Sequence, residues 1–237
     1  MLRSPQGLQN WIERRYPHGL DGHPSRLSGR VEGVANLRDS KGGHDLETAL
    51  VHLRGFGDAG LQREGRRFPV AQLTDDFGAA SLVVRDGCNW LLSGRVYTVE
   101  NLEVFLRVEE LSDEVDIAIY TGGRLSELVI SWLASCCTDE ASIVHAGDYD
   151  PVGLAEYQRL KEKLGARVEL YLPDELEERL IRYGNEALLR KSRRVLAKLR
   201  RCDDPQVRSV VELIDRHGRC LEQEALLIPA EEKDGPR

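Results

Sequence analysis

From Arg95 onward the chain alternates: an apolar run, an amphipathic stretch, then an apolar run again. "GRVYTVE" (94–100) precedes "NLEVFLRVEEL" (101–111), and "VDIAIYT" (115–121) precedes "RLSELVISWLASC" (124–136). "ASIVHAG" (141–147) precedes "PVGLAEYQRLKEKLG" (151–165), and "ARVELYLP" (166–173) closes the series. Each apolar run has the length of a strand buried on both faces, and each amphipathic stretch that of a crossover helix. Such a pattern builds βαβ units around a parallel sheet. The expectation is an α/β fold with a Rossmann-like parallel sheet and flanking helices over 93–237, extended by helix after Pro173 to about Arg216. Residues 1–92 carry only short apolar pieces, such as "LETALVHLRGFG" and "AASLVV", amid Gly and charge. They are expected to form a small N-terminal α+β appendage.

A chain of 237 residues, 41% of them hydrophobic, suffices for one main core and not for three domains. No stretch approaches the roughly 18 apolar residues of a membrane helix, and the N-terminus has no apolar signal region, so a cytoplasmic protein with no membrane contact is expected. Cys88, Cys136, Cys137, Cys202 and Cys220 are odd in number and lack CxxC spacing, which argues for reduced thiols rather than disulfides or a zinc site.

Ligands of an open parallel sheet bind beyond the carboxyl ends of its strands. Glu100 ends the first strand of the series, and Asp148 and Asp150, in "HAGDYDPVGL", follow the third. If those strands are neighbours, three carboxylates meet at one edge. Hard cations such as Mg²⁺ take one or two protein carboxylates together with phosphate and water, an arrangement suited to phosphoryl transfer. A structural reading competes. Asp150 before Pro151 is a good helix N-cap, with Gly165 a natural stop, and Glu100 alone is an ordinary strand end. The cap leaves Asp148 unexplained, because two acids on one short loop repel each other and a cation relieves them.

"TVEN" with Phe105, then "YTGGRLSELV", "HAGDYDPVGL" and "CLEQEAL" together resemble the Toprim family of topoisomerases, primases and nucleases, and most of all the JetD nuclease subunits of Wadjet anti-plasmid systems. The resemblance covers about residues 95–228. It implies that Glu100, Asp148 and Asp150 bind Mg²⁺ or Mn²⁺, with Glu222 and Glu224 as auxiliary acids. It also implies a metal-dependent DNA endonuclease with DNA and SMC-like ATPase subunits as partners; for cutting both strands a homodimer is the expected form, since its two-fold axis would match that of the duplex. By the same resemblance, residues 1–92 are expected to be a shortened winged-helix or partner-docking region. Two alternatives stand: a catalytically silent Toprim scaffold or DNA sensor, and a topoisomerase VI-like transesterase using Tyr16.

The net charge of -7 has the wrong sign for coating nucleic acid, so contact with DNA requires a local patch. On a helical wheel Arg190, Lys191, Arg194, Lys198 and Arg201 share one side, opposite Leu188, Val195, Leu196 and Leu199. A solvated outer face is the plain meaning of that pattern, and phosphate-backbone tracking the functional one. Arg124, after the glycine turn and at a helix start, is a further phosphate candidate. "DSKGGHD" is not a P-loop, the six histidines form no HExxH, and no GxSxG is present, so nucleotide hydrolysis, zinc-protease and acyl-transfer chemistries lack their motifs. His145, inside a strand, reads as a packed residue.

Overall fold

The computed structural model describes residues 48–85, 87 and 89–229. Tyr16, Cys88 and half of the expected N-terminal appendage lie outside these residues. The first part of the described chain runs β1 (Thr48–Gly55), β2 (Gly60–Arg63), β3 (Arg66–Pro69), α1 (Val70–Phe77), β4 (Ala80–Arg85) and β5 (Leu91–Leu92). The alternating region follows as β6 (Arg95–Val99), α2 (Leu102–Leu106), β7 (Ile117–Tyr120), α3 (Glu127–Cys136), β8 (Ser142–Ala146), α4 (Pro151–Leu164) and β9 (Val168–Leu170). Three helices come last, α5 (Leu176–Tyr183), α6 (Glu186–Leu199) and α7 (Pro205–His217), and then a 3-10 helix at Gln223–Leu227.

The main sheet has six strands in the order β4-β1-β7-β6-β8-β9. The four strands of the alternating region are parallel, as the pattern requires. Thr48–Gly55 and Ala80–Arg85, from the segment before residue 92, extend this sheet as two antiparallel strands, β1 lying against β7. The fold is α/β with a mixed sheet rather than a purely parallel one. β2, β3 and β5 form a small antiparallel sheet.

Both faces of the sheet are covered, because successive strand residues point to opposite sides. Val96, Ile117, Ile119 and Ile143 join the core under α3, α4 and α7. Tyr97, Val99, Ala118, Tyr120, Val144 and Ala146 join the opposite core with Val104 and Phe105 of α2. Helix starts are fixed by side chains that accept orphan amides: Asn101 for α2, Ser126 for α3, Asn185 for α6 and Asp204 for α7. The long helical stretch foreseen after Pro173 is three helices, broken before the Asn185 and Asp204 caps.

Register sets the geometry that matters for function. Val99 lies opposite both Tyr120 of β7 and Ala146 of β8, so the carboxyl ends of β6, β7 and β8 are level. The connection leaving β6 goes to β7 on one side, while the one leaving β8 goes to β9 on the other. The gap between β6 and β8 is therefore a topological switch point, where loops diverge and leave a crevice.

Candidate functional site

Glu100 and Asp148 stand on the two sides of that crevice. Glu100 leaves β6 with its amide still bonded to Ala146 O of β8, at 3.3 Å. Its Oε2 is buried and has no hydrogen-bond partner. Burial raises the Glu100 pKa, only partly offset by the Asp148 main-chain amide it accepts from, and the charges of Asp150, Glu156 and Glu224 raise it further. Asp148 is pushed up to about 7, by burial first and then by Glu100, against a lowering bond from the Gln223 amide. Two carboxyls share a partly buried site in which the charge of Glu100 disfavours that of Asp148.

Asp150 is the helix cap that its place before Pro151 announces. Its Oδ1 caps α4, accepting from Val152 and Gly153 amides at 2.8 Å each, with Pro151 at the first helical position. The same side chain adds negative potential at Glu100 and Asp148. Gly153 lets the helix start sit against the loop: a Cβ there would lie 2.3 Å from Asp148 O. Gly147 is equally constrained, since a Cβ would come 2.7 Å from His145 Nε2 and 3.3 Å from Glu100 Oε2.

The 3-10 segment closes the crevice. Gln223 is fully buried, its Oε1 accepting from Asn101 N (2.9 Å) and its Nε2 donating to Ala146 O (2.7 Å). Its own amide donates to Asp148 Oδ1 at 2.8 Å. Leu221 and Tyr149 exchange both main-chain hydrogen bonds, which holds this segment to the Asp148 loop. Glu224 accepts from the Asn101 side-chain amide and acts on both central acids. Glu222 is exposed, and of the two acids offered as auxiliary it is Glu224 that bonds to Asn101.

His145 packs as expected. It is 2% exposed, with Nδ1 against Thr98 Oγ1 at 2.9 Å, and burial lowers its pKa to about 4, so it is neutral near pH 7. Arg124 pairs with Glu156, its Nε 2.9 Å from the carboxylate. Arg190, Lys191, Arg194, Lys198 and Arg201 are all exposed, Arg190 pairing with Glu186 at 3.7 Å, while Ser192, Leu196 and Leu199 turn inward. Asn101 and Gln223 lie within the quoted "TVEN" and "CLEQEAL" segments but were given no role from the sequence, and Glu156, in mid-helix, carries no spacing signal. The four described cysteines are free thiols. No helix among the described residues is long and apolar enough to cross a membrane.

The family described as Wadjet protein JetD, C-terminal, matches residues 74–234. The chain belongs to this JetD family. The match begins within α1 and takes in the whole crevice, from β6 through the 3-10 segment, and it makes this chain a component of a Wadjet system. No curated protein matches the chain. In this JetD-family chain the residues suit a hard divalent cation. The buried, unpartnered Glu100 Oε2 beside a second carboxyl with a raised pKa is an oxygen-donor pair lacking positive charge. Among the described residues no three His, Cys, Asp or Glu side chains already form a ligand cluster. A site of one or two carboxylates completed by phosphate and water needs none.

Proposed function

We propose that this JetD-family chain is a divalent-metal-dependent DNA endonuclease of the Toprim type, the nuclease subunit of a Wadjet complex, with SMC-like ATPase subunits as partners. The observation that carries the reading is the unpartnered Glu100 Oε2 in the β6/β8 crevice, with Asp148 across from it. Glu100 and Asp148 would hold Mg²⁺ or Mn²⁺, with Asp150 offering the oxygen its cap does not use and Glu224 at the rim. The bound ion supplies activation of an attacking water and neutralisation of charge on the phosphate. Asp148 is fixed by the Gln223 amide and Asp150 by the start of α4, so neither acid has to reorganise when a phosphodiester arrives. The exposed basic side of α6 supplies phosphate contacts along the duplex, and a homodimer would present two acid edges to its two strands.

A second reading, a metal-free Toprim scaffold or DNA sensor, draws on the lack of a preformed ligand cluster among the described residues. Purified protein incubated with supercoiled plasmid in Mn²⁺, Mg²⁺ or EDTA separates the two, with Asp148→Asn run alongside. Metal-dependent linearisation that disappears in the variant supports the nuclease. Cleavage by the variant at the wild-type rate sinks the site assignment, and calorimetry showing no Mn²⁺ binding to the wild type favours the scaffold.

A further inference from the structure

Arg124 sits on the loop that leaves β7, behind two glycines with positive φ, Gly122 (62°) and Gly123 (99°). Only residues without a Cβ adopt that pair of conformations readily, and they turn the chain sharply off the sheet. Because β7 and β6 end level, this loop lies beside the one carrying Glu100. A Cβ on Gly123 would meet nothing within 4 Å, so space next to Arg124 is open.

The guanidinium of Arg124 is placed there by a buried acid. Its Nε lies 2.9 Å from Glu156 Oε1, and the Glu156 side chain is 7% exposed while that of Arg124 is 73% exposed. The other Glu156 oxygen accepts from Arg159, which also donates to Leu125 O and pairs with Glu127 at 3.1 Å. Arg159 thus already neutralises Glu156 from within, and Arg124 is a second cation laid on it from outside. An arginine paired through Nε can turn its two Nη groups to another acceptor, and that planar fork matches two oxygens of a phosphate. Glu156 lies in the second turn of α4, the helix that Asp150 caps, which puts the pair close to the acid edge.

We propose that Arg124 is a phosphate-binding residue for a backbone phosphodiester next to the acid edge, and that Glu156 is the positioning residue that aims it. The proposal rests on reading that edge as a phosphodiester-cleaving site. It adds a cation where three carboxylates would otherwise repel the substrate.

Binding of a short DNA duplex in EDTA, titrated across salt, tests the contact without any cleavage. Arg124→Ala changes an exposed side chain and leaves folding intact. It is expected to weaken binding roughly 3- to 10-fold at low salt and to lower the slope of log K against log salt by about 1. Glu156→Gln is expected to reproduce most of that loss with the Arg124 charge still present, and the double variant to be no weaker than Arg124→Ala, since the two act as one unit. Wild-type affinity and slope in Arg124→Ala overturn the phosphate contact. Glu156→Gln also removes the partner of Arg159, so Arg124→Lys provides the check on aiming in a folded protein. It keeps the charge and loses the fork, and is expected to retain the slope but bind more weakly; binding equal to wild type overturns the role of Glu156. Cleavage retained by Asp148→Asn fails the underlying reading instead, and is scored in the separate plasmid assay.

Discussion

The main-chain amide of Gln223 donates to Asp148 Oδ1 at 2.8 Å, across 75 residues of sequence. The Gln223 side chain spans the point where β6 and β8 part, satisfying Asn101 N and Ala146 O as a peptide group would. One residue therefore sets both the width of the crevice and the position of an acid within it. Gln223→Leu keeps the volume, strands the Asn101 amide and leaves Ala146 O only its bond from the Glu100 amide, at a cost of about 1–3 kcal/mol. Urea denaturation should show that loss, and Mn²⁺ affinity should fall with it. A change below about 0.5 kcal/mol, within the range of ordinary surface substitutions, would remove Gln223 from this role.

Asp148 carries the opposite energetics. Its carboxyl is unfavourably charged at neutral pH because of burial and Glu100, so the ion-free protein is less stable for having it. A folded-state pKa raised from 3.8 to about 7 means that stability is lost as pH rises through that window. Asp148→Asn should therefore stabilise the ion-free protein at pH 8 by roughly 2–4 kcal/mol. The gain should shrink toward zero as the pH drops below 5, where the wild-type carboxyl holds its own proton. Melting temperatures across pH in EDTA read this directly. Excess Mn²⁺ should reverse the order at pH 8, because only the wild type is stabilised by mass action. A variant no more stable than wild type at pH 8 would mean that the two carboxyls do not oppose each other.

The parallel strands, and the approach of Glu100 and Asp148 at the ends of neighbouring strands, were legible because each leaves a local signal. Buried strands are continuous apolar runs, and an acid at a strand end needs only its neighbour in the sheet to be named. The Asp150 cap was legible, since Asp-Pro announces it. β1 and β4 were not legible as part of the main sheet. Antiparallel pairing to β7 crosses more than 60 residues, and the alternating burial of β1 leaves no sign of which edge it joins. Glu222 and Glu224 could not be told apart in sequence. They are two residues apart, but the 3-10 turn directs only Glu224 to Asn101.

His145 sets a limit on acid stability. Its pKa falls from 6.5 to about 4 on folding, so the unfolded chain binds the extra proton and stability declines as pH drops from 6.5 toward 4. Full depression is worth about 3 kcal/mol. His145→Asn retains a group able to pair with Thr98 and removes the titration. The difference in unfolding free energy between wild type and variant should therefore depend on pH only between about 4 and 6.5. A difference independent of pH across that range would mean that His145 is not held neutral by its surroundings.

The outer side of α6 is where the solvated-face reading and the DNA reading part company. Arg194 and Lys198 are exposed one turn apart, on the side opposite Leu196 and Leu199, which pack inward. Neither is needed for the fold, so Arg194→Glu with Lys198→Glu should change the melting temperature little. If the face tracks phosphates, each lost contact no longer releases counterions. The double variant should then bind duplex DNA at least 10-fold more weakly at low salt, with a slope smaller by about 2. Two added negative charges repel DNA at long range even without contact, and that effect fades above roughly 0.1 M salt, where the screening length is about 10 Å. Comparison with Arg194→Gln and Lys198→Gln removes the repulsion and keeps the loss of contact. A neutral double variant that keeps the wild-type slope returns α6 to a solvated face and leaves DNA binding to the rim around Arg124.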